Sequence, residues 1–214
     1  MNSKYWFWFF VFLLSTVTVL ADTEFIQKPK TTYNLGDKII TSISILKGSS
    51  FDGLLKVTLI CGDNQLPYYI TPIRIFANEK LEAKIPDLTT SKYIIGDCKI
   101  SSVIVSSEGN NVEERISDNF KITNELNISL AISEQYLPGD EIVFQGVLKD
   151  KNGNNVKDAS LILNFNDGDY NVQIKNGEFK YPIKTPPTIS SGLHYISAFV
   201  EDTYGNKADG IFQV

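Results

Sequence analysis

His194 is the only histidine among 214 residues, and Cys61 and Cys98 are the only two cysteines. That inventory limits the chemistry at once. A zinc site of two or three imidazoles cannot form, and any Ser-His-Asp relay would have to be built on His194. His194 falls in the run Gly192-Leu193-His194-Tyr195-Ile196-Ser197-Ala198, at the inward position of a period-2 alternation, which reads as a core-facing ring. The sequence also lacks a Gly-x-Ser-x-Gly elbow and a Gly-x-x-x-x-Gly-Lys phosphate loop. The chain therefore reads as a non-enzyme that needs no cofactor.

The carboxylates are the next candidates. Asp150, Asp167, Asp169, Glu201, Asp202 and Asp209 lie in or beside turn sequences, where calcium could use them together with backbone carbonyls. However, Asp150-Lys151-Asn152-Gly153-Asn154-Asn155 does not fit the Asp-x-Asp-x-Asp-Gly loop with its distal Glu, and each acid has a sufficient role in its own turn, so no metal is assigned. Tyr68 and Tyr69, between Pro67 and Pro72, are the candidates for a ligand contact, since aromatic rings on a loop suit sugar stacking or an interface anchor. Their bland reading is packing beneath their own loop. Asn127-Ile128-Ser129 is the sole Asn-x-Ser/Thr sequon and makes Asn127 a glycosylation acceptor, although it sits in a predicted strand.

The elements that must position these residues are strands. Leu126, Ile128, Leu130 and Ile132 alternate with polar residues, as do Ile142, Phe144, Gly146 and Leu148, and then Leu161, Leu163 and Phe165. Such runs, separated by Pro138-Gly139-Asp140, Asn152-Gly153, Asp167-Gly168, Asn176-Gly177 and Gly205-Asn206, mark an antiparallel sandwich or barrel. The pattern also repeats. Tyr33-x-x-Gly36-Asp37-x-Ile39 matches Tyr136-x-x-Gly139-Asp140-x-Ile142, and Val57, Leu59 and Cys61 match Leu161, Leu163 and Phe165. Gly96, Cys98 and Ile100 then match Gly192, His194 and Ile196, with the first copy carrying an insertion within Gln65 to Phe76. Two copies of one domain, 22–124 and 125–214, are expected. Cys98 and His194 hold equivalent places in successive copies and so stand too far apart for a catalytic Cys-His pair.

Residues 1–21 read as a targeting segment. Lys4 precedes the apolar run Tyr5 to Leu14, and Val19-Leu20-Ala21 offers a cleavage site. An uncleaved signal anchor is the alternative, because Tyr5 to Ala21 just reaches the length of a membrane span. Either way the remainder is expected outside the cytoplasm, secreted or held at the cell envelope, with membrane contact only through residues 1–21 if they stay uncleaved. A net charge of −5, with Arg74 and Arg115 the only arginines, argues against nucleic acid as a partner.

The order Gly-Asp-x-Ile, Gly153-Asn-Asn-Val-x-x-Ala159 and Gly192-x-His-x-Ile-x-Ala-x-Val-x-Asp-x-x-Gly-Asn206 resembles the immunoglobulin-like and macroglobulin-type modules of prokaryotic surface proteins. The resemblance implies an all-β chain of two tandem immunoglobulin-like β-sandwich domains behind an N-terminal signal or anchor helix. It also implies a structural spacer or adhesion module with a protein or glycan partner at the cell surface. The alternative is a carbohydrate- or protein-ligand-binding module working through the 65–76 insertion. Cys61 and Cys98 are expected to form a disulfide, being an even pair in an exported chain and both on inward strand faces. The open point is register: neighbouring strands of one sheet can be bridged only where the Cα atoms lie within about 7 Å, and an offset would leave two buried thiols.

Overall fold

The computed structural model describes residues 22–132 and 136–214. The signal or anchor segment expected over residues 1–21 lies outside the described residues. Among the described residues every regular element is a strand, 18 in number, and no helix occurs, least of all one long and apolar enough to cross a membrane.

The N-terminal half contains β1 (Asp22–Gln27), β2 (Thr32–Asn34), β3 (Lys38–Ile39), β4 (Ser42–Leu46), β5 (Phe51–Cys61) and β6 (Asn64–Ile75). It continues with β7 (Lys80–Lys84), β8 (Leu88–Thr89), β9 (Gly96–Ser106), β10 (Asn111–Ile116) and β11 (Phe120–Thr123). These make three separate sheets: β1-β4-β7, the larger β2-β11-β9-β5-β6 with β10 added to β9, and the short pair β3-β8. The alternation in sequence sets the faces. On β5, Leu55, Val57, Leu59 and Cys61 are buried while the residues between them are not, and on β9 Cys98, Ile100, Ser102 and Ile104 point the same way. With Ile43 and Ile45 of β4, Tyr33 and Phe120 they close one apolar core, in which each buried Ile or Leu side chain contributes about 1.5–3 kcal/mol.

The C-terminal half contains β12 (Asn127–Ala131), β13 (Glu141–Lys149), β14 (Asp158–Phe165), β15 (Gly168–Lys175), β16 (Glu178–Lys184), β17 (Tyr195–Asp202) and β18 (Lys207–Gln213). All seven belong to one antiparallel sheet in the order β12-β13-β16-β15-β14-β17-β18. The sheet curls around its own core of Phe144, Leu161, Leu163, Phe165, Ile196 and Val200 until its two end strands lie alongside. Ile128 Cγ2 of β12 comes within 3.8 Å of where a Cβ would stand on Gly210 of β18, so the sheet is nearly a closed barrel.

Tandem immunoglobulin-like sandwiches are therefore not what the chain builds, and the resemblance to prokaryotic surface modules does not carry over to its architecture. A sandwich needs two open sheets facing each other. Here the tight hairpin at Asn176-Gly177 pairs Lys175 with Glu178 and keeps β15 and β16 in one sheet, where a sandwich would cross over. The N-terminal half divides three ways instead of two. Alternation could not distinguish these outcomes, because a strand in a sandwich and a strand in a barrel both bury every second residue.

The inserted stretch 65–76 is likewise a strand and not a loop. It forms β6, paired with β5 over nearly its whole length, with a register shift between Val57 and Thr58 that leaves Tyr68 as the bulged residue. A bulge places two successive side chains on one face. Tyr68 and Tyr69 both pack against the core as a result, each remaining half-buried. Burial pushes the Tyr68 hydroxyl upward in pKa.

Strand direction fixes where the chain enters and leaves each half. Asp22 pairs with Leu46 at the end of β4 remote from the Asn34–Asp37 loop, whereas β2 and β11 run side by side toward that loop. In the other half β18 starts beside Leu126 and ends at Val214, whose main chain exchanges both hydrogen bonds with His194 at the opposite end of the barrel.

Candidate functional site at the junction of the two halves

Two turns of the C-terminal half, Asp150–Asn154 and Asp202–Asn206, share the sequence Asp-x-x-Gly-Asn and the same internal bonding. Oδ1 of Asp150 accepts the N–H groups of Asn152 and Asn154 at 2.8 Å each, and its Oδ2 accepts Nδ2 of Asn154 at 2.8 Å. Oδ1 of Asp202 accepts the N–H groups of Tyr204 at 2.8 Å and Asn206 at 2.9 Å, and its Oδ2 accepts Nδ2 of Asn206 at 2.7 Å. A short carboxylate that bonds its own following backbone makes each turn rigid without help from elsewhere.

Both turns grip the loop Asn34-Leu35-Gly36-Asp37. Asn206, only 2% exposed, accepts the Leu35 N–H on Oδ1 at 2.9 Å and donates Nδ2 to the Leu35 carbonyl at 2.9 Å. Its side chain thus completes for Leu35 the two bonds that a neighbouring strand would supply. Both amide hydrogens are used, one on Leu35 and one on Asp202. From the other turn, the Lys151 N–H donates to Oδ1 of Asn34 at 3.0 Å, while Nδ2 of Asn34 donates to the Glu125 carbonyl at 2.8 Å. The connecting segment is pinned as well: Lys207 N–H donates to Asn124 O at 2.6 Å and Leu126 N–H to Lys207 O at 2.7 Å.

Gly36 lies directly under the Tyr204 ring. It has φ +88°, and a Cβ there would stand 2.5 Å from a ring carbon, so both the backbone and the ring require glycine. At the rim, Lys151 Nζ meets Glu125 Oε2 at 3.1 Å. The hydrogen bond from Lys151, its charge and that of Lys121 hold the Glu125 carboxyl below its ordinary range. Beside the joint is a cleft of about 300 Å³ whose walls include Asp37, Asp150, Asp158, Asp202 and Lys157. Among the described residues no three His, Cys, Asp or Glu side chains converge as metal ligands would.

The residues singled out by sequence fall elsewhere, apart from Asp150 and Asp202. Cys61 and Cys98 are joined in a disulfide, as direct cross-strand partners with Cα atoms 4.1 Å apart. Gly62 N–H donates to Asp97 O, which makes 61/98 a non-hydrogen-bonded pair, the close-approach position of an antiparallel ladder. His194 sits half-buried at the far end of the barrel, its ring edge-on to Phe165 at 6.3 Å and its Nε2 2.8 Å from Ser190 O. Asn127 is exposed on β12 and accepts Lys151 Nζ on its Oδ1 at 3.1 Å. Asp169 accepts Nδ2 of Asn164 at 2.8 Å within its own hairpin, and Glu201 pairs with Lys207 at 3.7 Å. Sequence reasoning missed Asn34, Leu35, Tyr204 and Asn206. The signal that could have found two of them is the doubled Asp-x-x-Gly-Asn.

No protein-family model matches the chain, and no characterised protein matches it in sequence. Among solved structures it is similar to the red sea bream transglutaminase, at 10% identity and a TM-score of 0.40 over 91% of this chain. The chain spans 31% of that enzyme's length. It is also similar to a β-glucosidase from Listeria innocua, at 11% identity and a TM-score of 0.35, covering 48% of this chain and 16% of the other. Likenesses this low inform neither fold nor activity, and no family is assigned.

Proposed function

We propose that the protein is an exported, non-catalytic spacer that holds a partner at the cell surface at a fixed distance, with residues 22–124 and 125–214 as its two structural units. The observation that carries this reading is the buried Asn206–Leu35 clasp, which ties the units through main-chain-like hydrogen bonds in place of a free linker. Entry at Asp22 and exit at Val214 lie at ends remote from the joint, so the units add end to end. Strands of 11 residues in one unit and 8 in the other, at about 3.3 Å per residue, give a span of roughly 60 Å. The disulfide and the targeting character of residues 1–21 support an oxidising, extracytoplasmic location.

The test is the distance distribution between spin labels at Lys121 of β11 and Lys180 of β16, both exposed strand positions. A single narrow peak is expected. A broad distribution of the kind a flexible tether gives would remove the spacer reading.

A further inference from the structure

The strand at which a tether would pull is an edge of the N-terminal half held on two sides. β1 runs from Asp22 at the remote end toward the joint, bonded along its length to β4 through the pairs Asp22–Leu46, Thr23–Ile45, Glu24–Ser44 and Phe25–Ile43. Tension entering at Asp22 and leaving through the joint therefore acts along β1, and these pairs are loaded together instead of one after another. β10 closes over its other side. Arg115 donates to Asp22 at 3.2 Å, and Lys47, at the end of β4, forms an ion pair with Glu113 of β10 beside Thr23. Lys47 and Glu113 have side chains only 6% and 15% exposed, and Thr23 beneath them is 2% exposed. A buried pair contributes little net stability, but breaking it leaves a charge with no partner, so it resists separation of the strands that carry it. At the other end β18, pulled at Val214, shears in the same sense against seven pairs with β17.

From this geometry we infer a further function: the protein bears tension, with β1 as the clamp that the Lys47–Glu113 pair and the Arg115–Asp22 bridge lock between β4 and β10. The inference rests on the spacer reading for the direction of load. Interaction geometry, not equilibrium stability, then sets the lifetime, because forced opening follows the unfolding rate.

Single-molecule pulling of the full chain tests it. In one arm the handles are at Met1 and Val214, and in the other at Lys28→Cys and Val214, so that load bypasses β1. The two halves are told apart by extension, since the Cys61–Cys98 bridge withholds the residues between them from the N-terminal event. Opening of the N-terminal half is expected at distinctly higher force in the first arm. Glu113→Gln should speed its opening at a fixed load by at least about tenfold there, and much less in the second arm. Equal force in both arms overturns the clamp, as does a Glu113→Gln effect of the same size in both. Either result leaves the spacer reading standing if the Lys121–Lys180 distance is narrow, whereas a broad distance removes that reading whatever the force.

Discussion

Asn206 and Leu35, 171 residues apart in sequence, are joined by two 2.9 Å hydrogen bonds that mimic a strand pair, with the carboxamide standing in for a peptide group. Because the site is buried, neither partner can turn to water if the other is lost. Asn206→Ala should destabilise the chain by about 1–3 kcal/mol, the cost of leaving the Leu35 N–H and carbonyl unsatisfied. It should also broaden the Lys121–Lys180 distance. Denaturant unfolding and spin-label distances check the two effects separately, and a variant with unchanged stability would show that water reaches the joint.

Gly36 offers a complementary probe. Gly36→Ala meets two obstacles, a left-handed backbone conformation and the Tyr204 ring, and only the second depends on the other half. Tyr204→Ala in the Gly36→Ala background should therefore recover part of the loss, about 1 kcal/mol or more by double-mutant cycle. Strict additivity of the two substitutions would place the whole cost in the backbone.

The Cys61–Cys98 bridge closes a loop with a sequence separation of 37 residues. Loop-closure entropy gives it a worth of roughly 3 to 4 kcal/mol, so Cys61→Ser/Cys98→Ser should lower the unfolding free energy by about that amount. Thiol titration of the denatured, unreduced wild type should find no free thiol. Two titratable thiols would contradict the bridge.

Acid should weaken the β1 corner. Burial pushes the Glu113 carboxyl up, but the hydrogen bond from Lys47, with the charges of Lys47 and Arg115, outweighs it and holds it below its ordinary 4.5. A carboxyl lowered by folding stabilises the fold above its unfolded pKa, and that contribution disappears as pH falls through the folded value. At neutral pH Glu113→Gln should cost about 3–5 kcal/mol, because Lys47 keeps its charge in a buried place. Unfolding curves at pH 7 and at successively lower pH below 4.5 should show the gap between wild type and variant closing. A gap that stays constant with pH would mean that Glu113 does not titrate with folding.

Autonomy of the C-terminal half follows from its separate core. Residues 125–214 expressed alone should give β-type circular dichroism and one cooperative transition, somewhat less stable than in the full chain because Leu126 and Asn206 lose their cover. A non-cooperative fragment would show that the barrel needs the joint to fold.

Much of this chain was legible in its residues. Period-2 alternation placed Val57, Leu59 and Cys61 on one face of a strand, and Asn-Gly and Pro-Gly pairs marked the turns. Those features are local, set by how a side chain and its own backbone behave. Which strands pair, and in what register, depends instead on contacts between distant segments. The hairpin at Asn176-Gly177 curled one sheet toward closure where a sandwich was expected, and the bulge at Tyr68 turned two tyrosines inward. The register that sets Cys61 opposite Cys98 belongs to the same class. The joint lies furthest from the sequence signal, because an asparagine that caps its own turn and one that also replaces a strand for a loop 171 residues away carry the same local pattern. Only the packing of the two halves decides between Asn154, which stays in solvent, and Asn206, which does not.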